Sequence, residues 1–254
     1  MANIIVFTNQ KGGIGKTTTS SAVIAGLTQR GKRVLGIDLD PQGNLGFSFG
    51  VNIEEAKTVY DVFKGSVKIA DAITKTEFGD ILPSNILLSG SELEFNRPGR
   101  EFLLKDALAE IKGLYDYIII DTPPALNILT VNAYVCSDSI VLPMVPEILS
   151  LVGISQIKDT INTVKKFYNP KLKILGILFT KYNKRTILTR DVEEMATMIA
   201  QELGTSIFES KIRSSVVVAE SPAHGETILT YAPKSNPAID YQNFIDELIK
   251  EVEH

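Results

Sequence analysis

The stretch Lys11-Gly12-Gly13-Ile14-Gly15-Lys16-Thr17-Thr18 constrains this chain more than any other. A G-x-x-x-x-G-K-[ST] run wraps backbone N–H groups around phosphates and sends its lysine to the β/γ oxygens. Gly15, Lys16 and Thr17 satisfy that pattern, but its leading glycine would fall on Gln10, and the loop opens instead with Lys11 and a glycine pair. Ile4-Ile5-Val6-Phe7 before it is an apolar, β-branched run, and Ser20 to Arg30 after it reads as a helix closed by Gly31. Strand, glycine turn and helix in that order bring bare amides and the positive end of a helix dipole against an anion. A second ammonium at the mouth of a loop that already holds one needs a second body of negative charge. Two nucleotide sites facing each other, with Lys11 reaching across, would supply it.

Further along, strand-like runs alternate with helical stretches: Arg33 to Ile37, Ile81 to Leu82, Tyr117 to Ile120, Ser139 to Leu142 and Lys173 to Phe179. Between them lie amphipathic segments, Phe102 to Ile111 and Ile154 to Phe167. Ile118-Ile119-Ile120 is apolar on both faces, as a parallel strand covered by helices on each side must be. The expected fold is α/β: a doubly wound, mostly parallel sheet with helices on both faces and its ligand at the carboxyl ends of the strands. With 254 residues and no compositional break, a single domain over 1–254 is expected, and the irregular stretch 47–95 is expected to decorate the sheet edge.

Two acidic stations accompany the loop. Gly36-Ile37-Asp38-Leu39-Asp40-Pro41-Gln42-Gly43 ends one strand with two carboxylates, and Tyr117-Ile118-Ile119-Ile120-Asp121 ends another with one, before Thr122-Pro123-Pro124. Each aspartate alone serves equally well as a helix cap or turn former. Three of them beside a phosphate loop are where Mg²⁺ or its water would be held.

These three segments together resemble the ParA/Soj ATPases of plasmid and chromosome partition, in the deviant-Walker (MinD/ParA) class of the P-loop NTPase fold. Leu82-Pro83-Ser84-Asn85 and Glu220-Ser221-Pro222-Ala223-His224-Gly225 resemble further segments of that family. The resemblance implies ATP and Mg²⁺ as cofactors and an ATP-dependent homodimer. It implies that Gly12, Gly13, Ile14 and Gly15 line the phosphates, that Lys16 supplies the charge in cis, and that Lys11 crosses to the partner's nucleotide. It further implies Thr17 on Mg²⁺, Thr18 near the α-phosphate, Asp40 positioning the attacking water, Asp38 and Asp121 around the metal, and Asn183 beside adenine. The hydrolysis would be weak until a ParB-type centromere-binding partner and DNA stimulate it.

Charge carries the second function. The formal net charge is −4, yet between Lys158 and Arg190 nine basic residues face one acid, Asp159. Non-specific DNA binding is mostly phosphate neutralisation, which makes Lys181, Lys184, Arg185, Arg190 and Arg213 candidate contacts. Lys165 and Lys166 suit a helix C-terminus instead. The family's usual arginine before its Glu-x-Pro segment falls on Val217 here.

A MinD-like membrane ATPase is the nearest rival, but it needs a basic amphipathic tail. The segment 238–254 is amphipathic through Tyr241, Phe244, Ile245, Leu248, Ile249 and Val252, and it carries five acids against Lys250. It is expected to pack on the sheet. A small-molecule ligase of the same fold is a further alternative. Cys136 alone excludes an intramolecular disulfide or a paired-cysteine metal site. The expectation is a cytoplasmic, nucleoid-associated protein without a membrane partner or an N-terminal helix-turn-helix extension. His224, between Pro222 and Gly225, is expected to be structural or peripheral.

Overall fold

The computed structural model describes residues 2–184 and 187–253. A seven-stranded sheet is built from β1 (Asn3–Phe7), β2 (Val34–Asp38), β3 (Thr74–Thr76), β4 (Gly79–Leu82), β5 (Tyr117–Asp121), β6 (Ser139–Met144) and β7 (Lys173–Phe179). Their spatial order is β3-β4-β2-β5-β1-β6-β7, parallel throughout except for the β3–β4 hairpin at one edge. The longer helices are α1 (Lys16–Gln29), α2 (Ile128–Cys136), α3 (Ile148–Phe167), α4 (Ile187–Glu202) and α5 (Asn236–Glu253).

Strand residues alternate between two cores, as a side-chain period of two requires. Ile4, Val6, Leu35, Ile37, Ile118 and Ile120 join a cluster with Leu129, Ala133, Ile154, Ile157 and Ile161 of α2 and α3. Ile5, Phe7, Val34, Ile119 and Val141 join a second with Val23, Ile24 and Leu27 of α1 and Tyr241, Phe244 and Ile245 of α5. The acidic tail therefore spends its apolar face on the core, and Arg30 fastens it from outside through Asp246 and Gln242.

The chain leaves β1 through α1 toward β2, and leaves β5 through α2 toward β6, so connections from adjacent strands part in opposite directions. Such a switch point opens a crevice at the carboxyl ends of the strands. Phe7, Asp38 and Asp121 all end there, because Phe7 pairs with Asp121 and Asp38 pairs with Asp121 in register.

Two details differ from expectation. The segment 102–111 is not one helix: a 3-10 turn (Arg100–Phe102) leads into Leu103–Leu108, and another 3-10 turn follows at Lys112–Leu114. Its start is fixed by the Leu104 N–H donating to Asn132 of α2 at 3.0 Å, and its end tightens to i→i+3 bonds at Ala109 and Ile111. The stretch 47–95 also contributes more than decoration. β4 lies inside the sheet against β2, and only β3 forms the edge.

Candidate nucleotide-binding site

The glycine loop runs from the tip of β1 into the first turn of α1. Gly13 and Gly15 hold φ of 71° and 89°, a left-handed backbone open to glycine at little cost. A Cβ on Gly12 would meet no protein atom within 4 Å, although Gly12 borders the cleft, so the room beside it is room for a ligand. Thr19 closes the first helical turn, its N–H donating to the Gly15 carbonyl at 2.9 Å. The amides ahead of it belong to residues that line the cleft at the helix N-terminus, where no helical carbonyl can accept them.

Asn9 sets the loop's mouth. It is fully buried, donates from Nδ2 to the Pro143 carbonyl at 2.8 Å, and accepts the Lys11 N–H at 3.1 Å. The two lysines then part. Lys16 is 6% exposed, and its Nζ donates back to the Lys11 carbonyl at 3.1 Å. Burial pulls its pKa down, while the charges of Asp121 and Asp40 oppose that shift. The Lys11 ammonium instead pairs with Glu147, just before α3, and Lys11 is not among the residues that line its own cleft.

Asp121 is wholly buried at the tip of β5. Thr17 Oγ1 donates to it at 2.6 Å and Ser20 Oγ at 3.0 Å. Burial raises its pKa to about 6, against those hydrogen bonds and the Lys16 charge. Asp38, equally buried, accepts the Asp40 N–H on one oxygen and the Leu45 N–H on the other, both at 2.9 Å. Burial first and then the Asp121 charge push its pKa well above the usual carboxylate range. Asp38 thus ties down the turn 39–45 from beneath, and Asp40, beyond it, borders the cleft.

Asp38 and Asp121, buried on paired strand positions, are both harder to ionise than free carboxylates, a cost that a cation beside them would relieve. A hydroxyl and a carboxylate 2.6 Å apart are hard oxygen donors suited to Mg²⁺. No cluster of three His, Cys, Asp or Glu stands ready for a metal among the described residues. Mg²⁺ takes one or two protein oxygens and completes its shell with phosphate and water.

The cleft measures about 470 Å³ and extends from Gly12–Thr18 past Asp40 to Thr180, Lys181 and the segment 212–215. Arg213 borders it but is committed to Asp240 of α5, with bonds of 2.7 and 2.8 Å. Asn183 lies outside it, in an adjoining hollow of about 350 Å³ with Tyr182, Lys184, Lys211 and Arg213. Lys211 is paired to Glu193 and lies over the Tyr182 ring, 4.7 Å from its centroid.

The basic stretch does not form one patch. Lys165, Lys166, Lys171 and Lys173 are exposed at the end of α3 and the start of β7, whereas Lys181 and Lys184 lie past the other end of that strand. Lys158 pairs with Glu202. Of the remaining candidate DNA contacts, Arg185 and the side chain of Arg190 lie outside the described residues. Val217 packs against the second core, and His224 stacks on Tyr231 with centroids 4.9 Å apart, outside the cleft lining. Thr180, Glu147, Ser20 and the Arg213–Asp240 pair escaped the sequence reading, since isolated polar residues near strand ends carry no pattern.

A lysine-bearing glycine loop after the first strand of a parallel sheet, backed by carboxylates at neighbouring strand tips, is the arrangement of a P-loop nucleoside triphosphatase. A family described as an AAA domain matches residues 2–174. The Bacillus subtilis sporulation initiation inhibitor protein Soj is 41% identical over 98% of both chains. The Caulobacter vibrioides chromosome partitioning protein ParA is 37% identical over 97% of this chain and 93% of its own. A Mycobacterium smegmatis structure described as cobyrinic acid a,c-diamide synthase, with bound ADP and magnesium, is 36% identical. It superposes with a TM-score of 0.86 over 100% of this chain and 96% of that one. The chain belongs to the ParA/Soj-type P-loop ATPases.

Proposed function

We propose that this chain, acting as one ATPase domain, is a partition switch. It closes as a homodimer on two molecules of ATP with Mg²⁺, holds DNA non-specifically in that state, and is released by hydrolysis that a ParB-type centromere-binding partner stimulates. A cytoplasmic protein on the nucleoid follows from that reading. One observation carries it: the Lys11 ammonium rests on Glu147 at the rim and not in its own cleft, while Lys16 already serves the site from within. An ammonium so placed would exchange Glu147 for phosphates presented by a second copy.

Within each protomer the amides of Gly12, Gly13 and Gly15 would receive the phosphates, with Ile14 buried behind them and Thr18 beside the α-phosphate. Lys16 would neutralise the β/γ oxygens. Thr17 would ligate Mg²⁺, Asp121 would hold it through water and Asp38 would support its surroundings, and the ion would supply charge neutralisation to the transferring phosphoryl group. Asp40 would orient the attacking water, held in place by the Asp38 carboxylate through its own N–H. Asn183 and its neighbours past β7 would meet the base.

For DNA, Lys184 and Lys181 at the nucleotide end of β7 are the described candidates, joined by Arg185 and Arg190. Arg213 is the weakest, since Asp240 already occupies its guanidinium. Attachment to a membrane through an amphipathic tail is disfavoured because α5 has buried Tyr241, Phe244, Ile245 and Leu248. The likeness to the mycobacterial synthase favours a second reading, an ATP-dependent ligase that amidates a small carboxylic acid.

Light scattering with ATP, a non-hydrolysable analogue and ADP tests the switch. A dimer with the triphosphates alone, absent in Lys11→Ala despite nucleotide binding, is the expected result. A monomer under every bound nucleotide refutes it. ADP formation that depends on an added carboxylic acid and ammonia, and ignores DNA, would establish the ligase instead.

A further inference from the structure

We infer that Thr180 is a positioning residue of the phosphate loop: its hydroxyl holds the Ile14–Gly15 peptide so that the Gly15 N–H faces the nucleotide. Thr180 follows β7 directly and is 2% exposed. Its Oγ1 lies 2.6 Å from the Ile14 carbonyl oxygen and 3.2 Å from that of Met144. A hydroxyl has one proton to donate. The Met144 carbonyl already accepts the Thr180 N–H at 2.8 Å, so the hydroxyl proton belongs to Ile14.

Peptide planarity turns that bond into an orientation. In a trans peptide the C=O and the following N–H point in opposite directions. With the Ile14 carbonyl drawn toward β7, the Gly15 N–H must point away from it. Gly15 borders the cleft, and none of the described residues accepts its N–H. The clamp is needed because the hinge is soft: Gly15 stands at φ 89°, and glycine passes to other conformations at little cost. Ile14 is 1% exposed, so water offers its carbonyl no substitute partner.

The same strand end carries the far wall of the cleft. The Ile212 N–H donates to Phe179 and the Tyr182 N–H to Ile212, each at 2.8 Å. Thr180 therefore joins the phosphate end of the cleft to the segment 212–215 through two residues of chain. The inference rests on the nucleotide-binding reading and adds a residue to it.

Thr180→Val keeps the shape and loses the donor; Thr180→Ser keeps the donor and loses the methyl that packs 3.9 Å from the Cβ position of Gly15. Equilibrium binding of fluorescent ATP and ADP with Mg²⁺, steady-state hydrolysis and melting without nucleotide are measured on wild type and both variants. Thr180→Val should weaken ATP and ADP alike by about tenfold, the loss falling on KM more than on kcat, and Thr180→Ser should recover most of it. A Thr180→Val protein that melts earlier but binds both nucleotides as wild type does would reduce the hydroxyl to a fold contact and overturn the inference. So would a Thr180→Ser protein as weak as Thr180→Val, and this arm decides alone should the valine variant not fold. Wild type that binds no nucleotide would instead remove the nucleotide reading itself.

Discussion

Replacing Asp38 by asparagine separates two jobs that a strand-tip carboxylate can have. The buried carboxylate accepts two backbone N–H groups, from Asp40 and Leu45, at 2.9 Å each. Asparagine keeps one oxygen and turns an NH2 group toward the other donor. Leaving a buried N–H without its acceptor costs roughly 1–3 kcal/mol. The loss acts on the turn that carries Asp40 into the cleft. If about 2 kcal/mol of it appears as misplacement of Asp40 in the transition state, turnover falls about 30-fold. Overall stability should fall by less, because asparagine never has to ionise at a site where burial, and after it the Asp121 charge, push the Asp38 pKa upward.

The assay is single-turnover ATP hydrolysis, run alongside ATP binding and a Mg²⁺ titration. The expectation is slower turnover with ATP affinity nearly kept and the half-saturating Mg²⁺ concentration within about twofold of wild type, since Thr17 and Asp121 remain. Turnover restored by raising Mg²⁺ would make Asp38 a metal-holding group, and unchanged turnover would deny it any part in placing Asp40. Either outcome refutes the reasoning.

Leu248→Ala, at a fully buried site of α5, should cost about 2–4 kcal/mol in denaturant unfolding, while sedimentation with anionic vesicles leaves the wild-type protein in solution. Co-sedimentation would revive the membrane reading. Asp116 accepts from the Arg33 guanidinium and backbone N–H, which hold its pKa at about 2. Its folded-state pKa lies below the unfolded value, so its contribution to stability is complete above about pH 4 and disappears as pH falls through about 2. Carboxyl NMR should show a normal titration in Arg33→Leu, and no change there would deny the pairing. Lys184→Glu should weaken ATP-dependent DNA retention and lower the slope of log affinity against log salt by about one or more. An unaltered slope would remove Lys184 from the DNA surface.

The sheet and the loop were legible because both rest on local rules. Runs such as Ile118–Ile120 name strands covered on both faces, and the glycine–lysine–threonine spacing names a phosphate cradle whatever the rest of the chain does. Asp38 and Asp40 were legible from the residues as a pair, and only the resemblance gave them separate roles. Their spacing would set both on one face of a continuing strand, yet β2 ends at Asp38, and the chain folds the Asp40 N–H back onto its carboxylate. Glu147 and Thr180 were illegible for another reason: their partners, Lys11 and Ile14, lie more than a hundred residues away and meet them only once β6 and β7 lie beside β1.

The basic stretch is the sharpest case of sequence proximity misleading about space. Nine cations between Lys158 and Arg190 read as one field, but β7 runs through the middle of them. Seven strand residues separate its ends by roughly 20 Å, while charges are screened over about 8 Å at physiological salt. Lys165, Lys166, Lys171 and Lys173 therefore act as one group, and Lys181 and Lys184 as another. Only the second shares a wall with the nucleotide cleft, through Lys181 and the hollow that Lys184 and Arg213 line together. Within one protomer, a DNA contact can sense the bound nucleotide most directly across such a shared wall. The far lysines have no comparable connection within the protomer. Within one protomer, nucleotide control of DNA binding would therefore act through the carboxyl end of β7, the strand end at which Thr180 meets the phosphate loop.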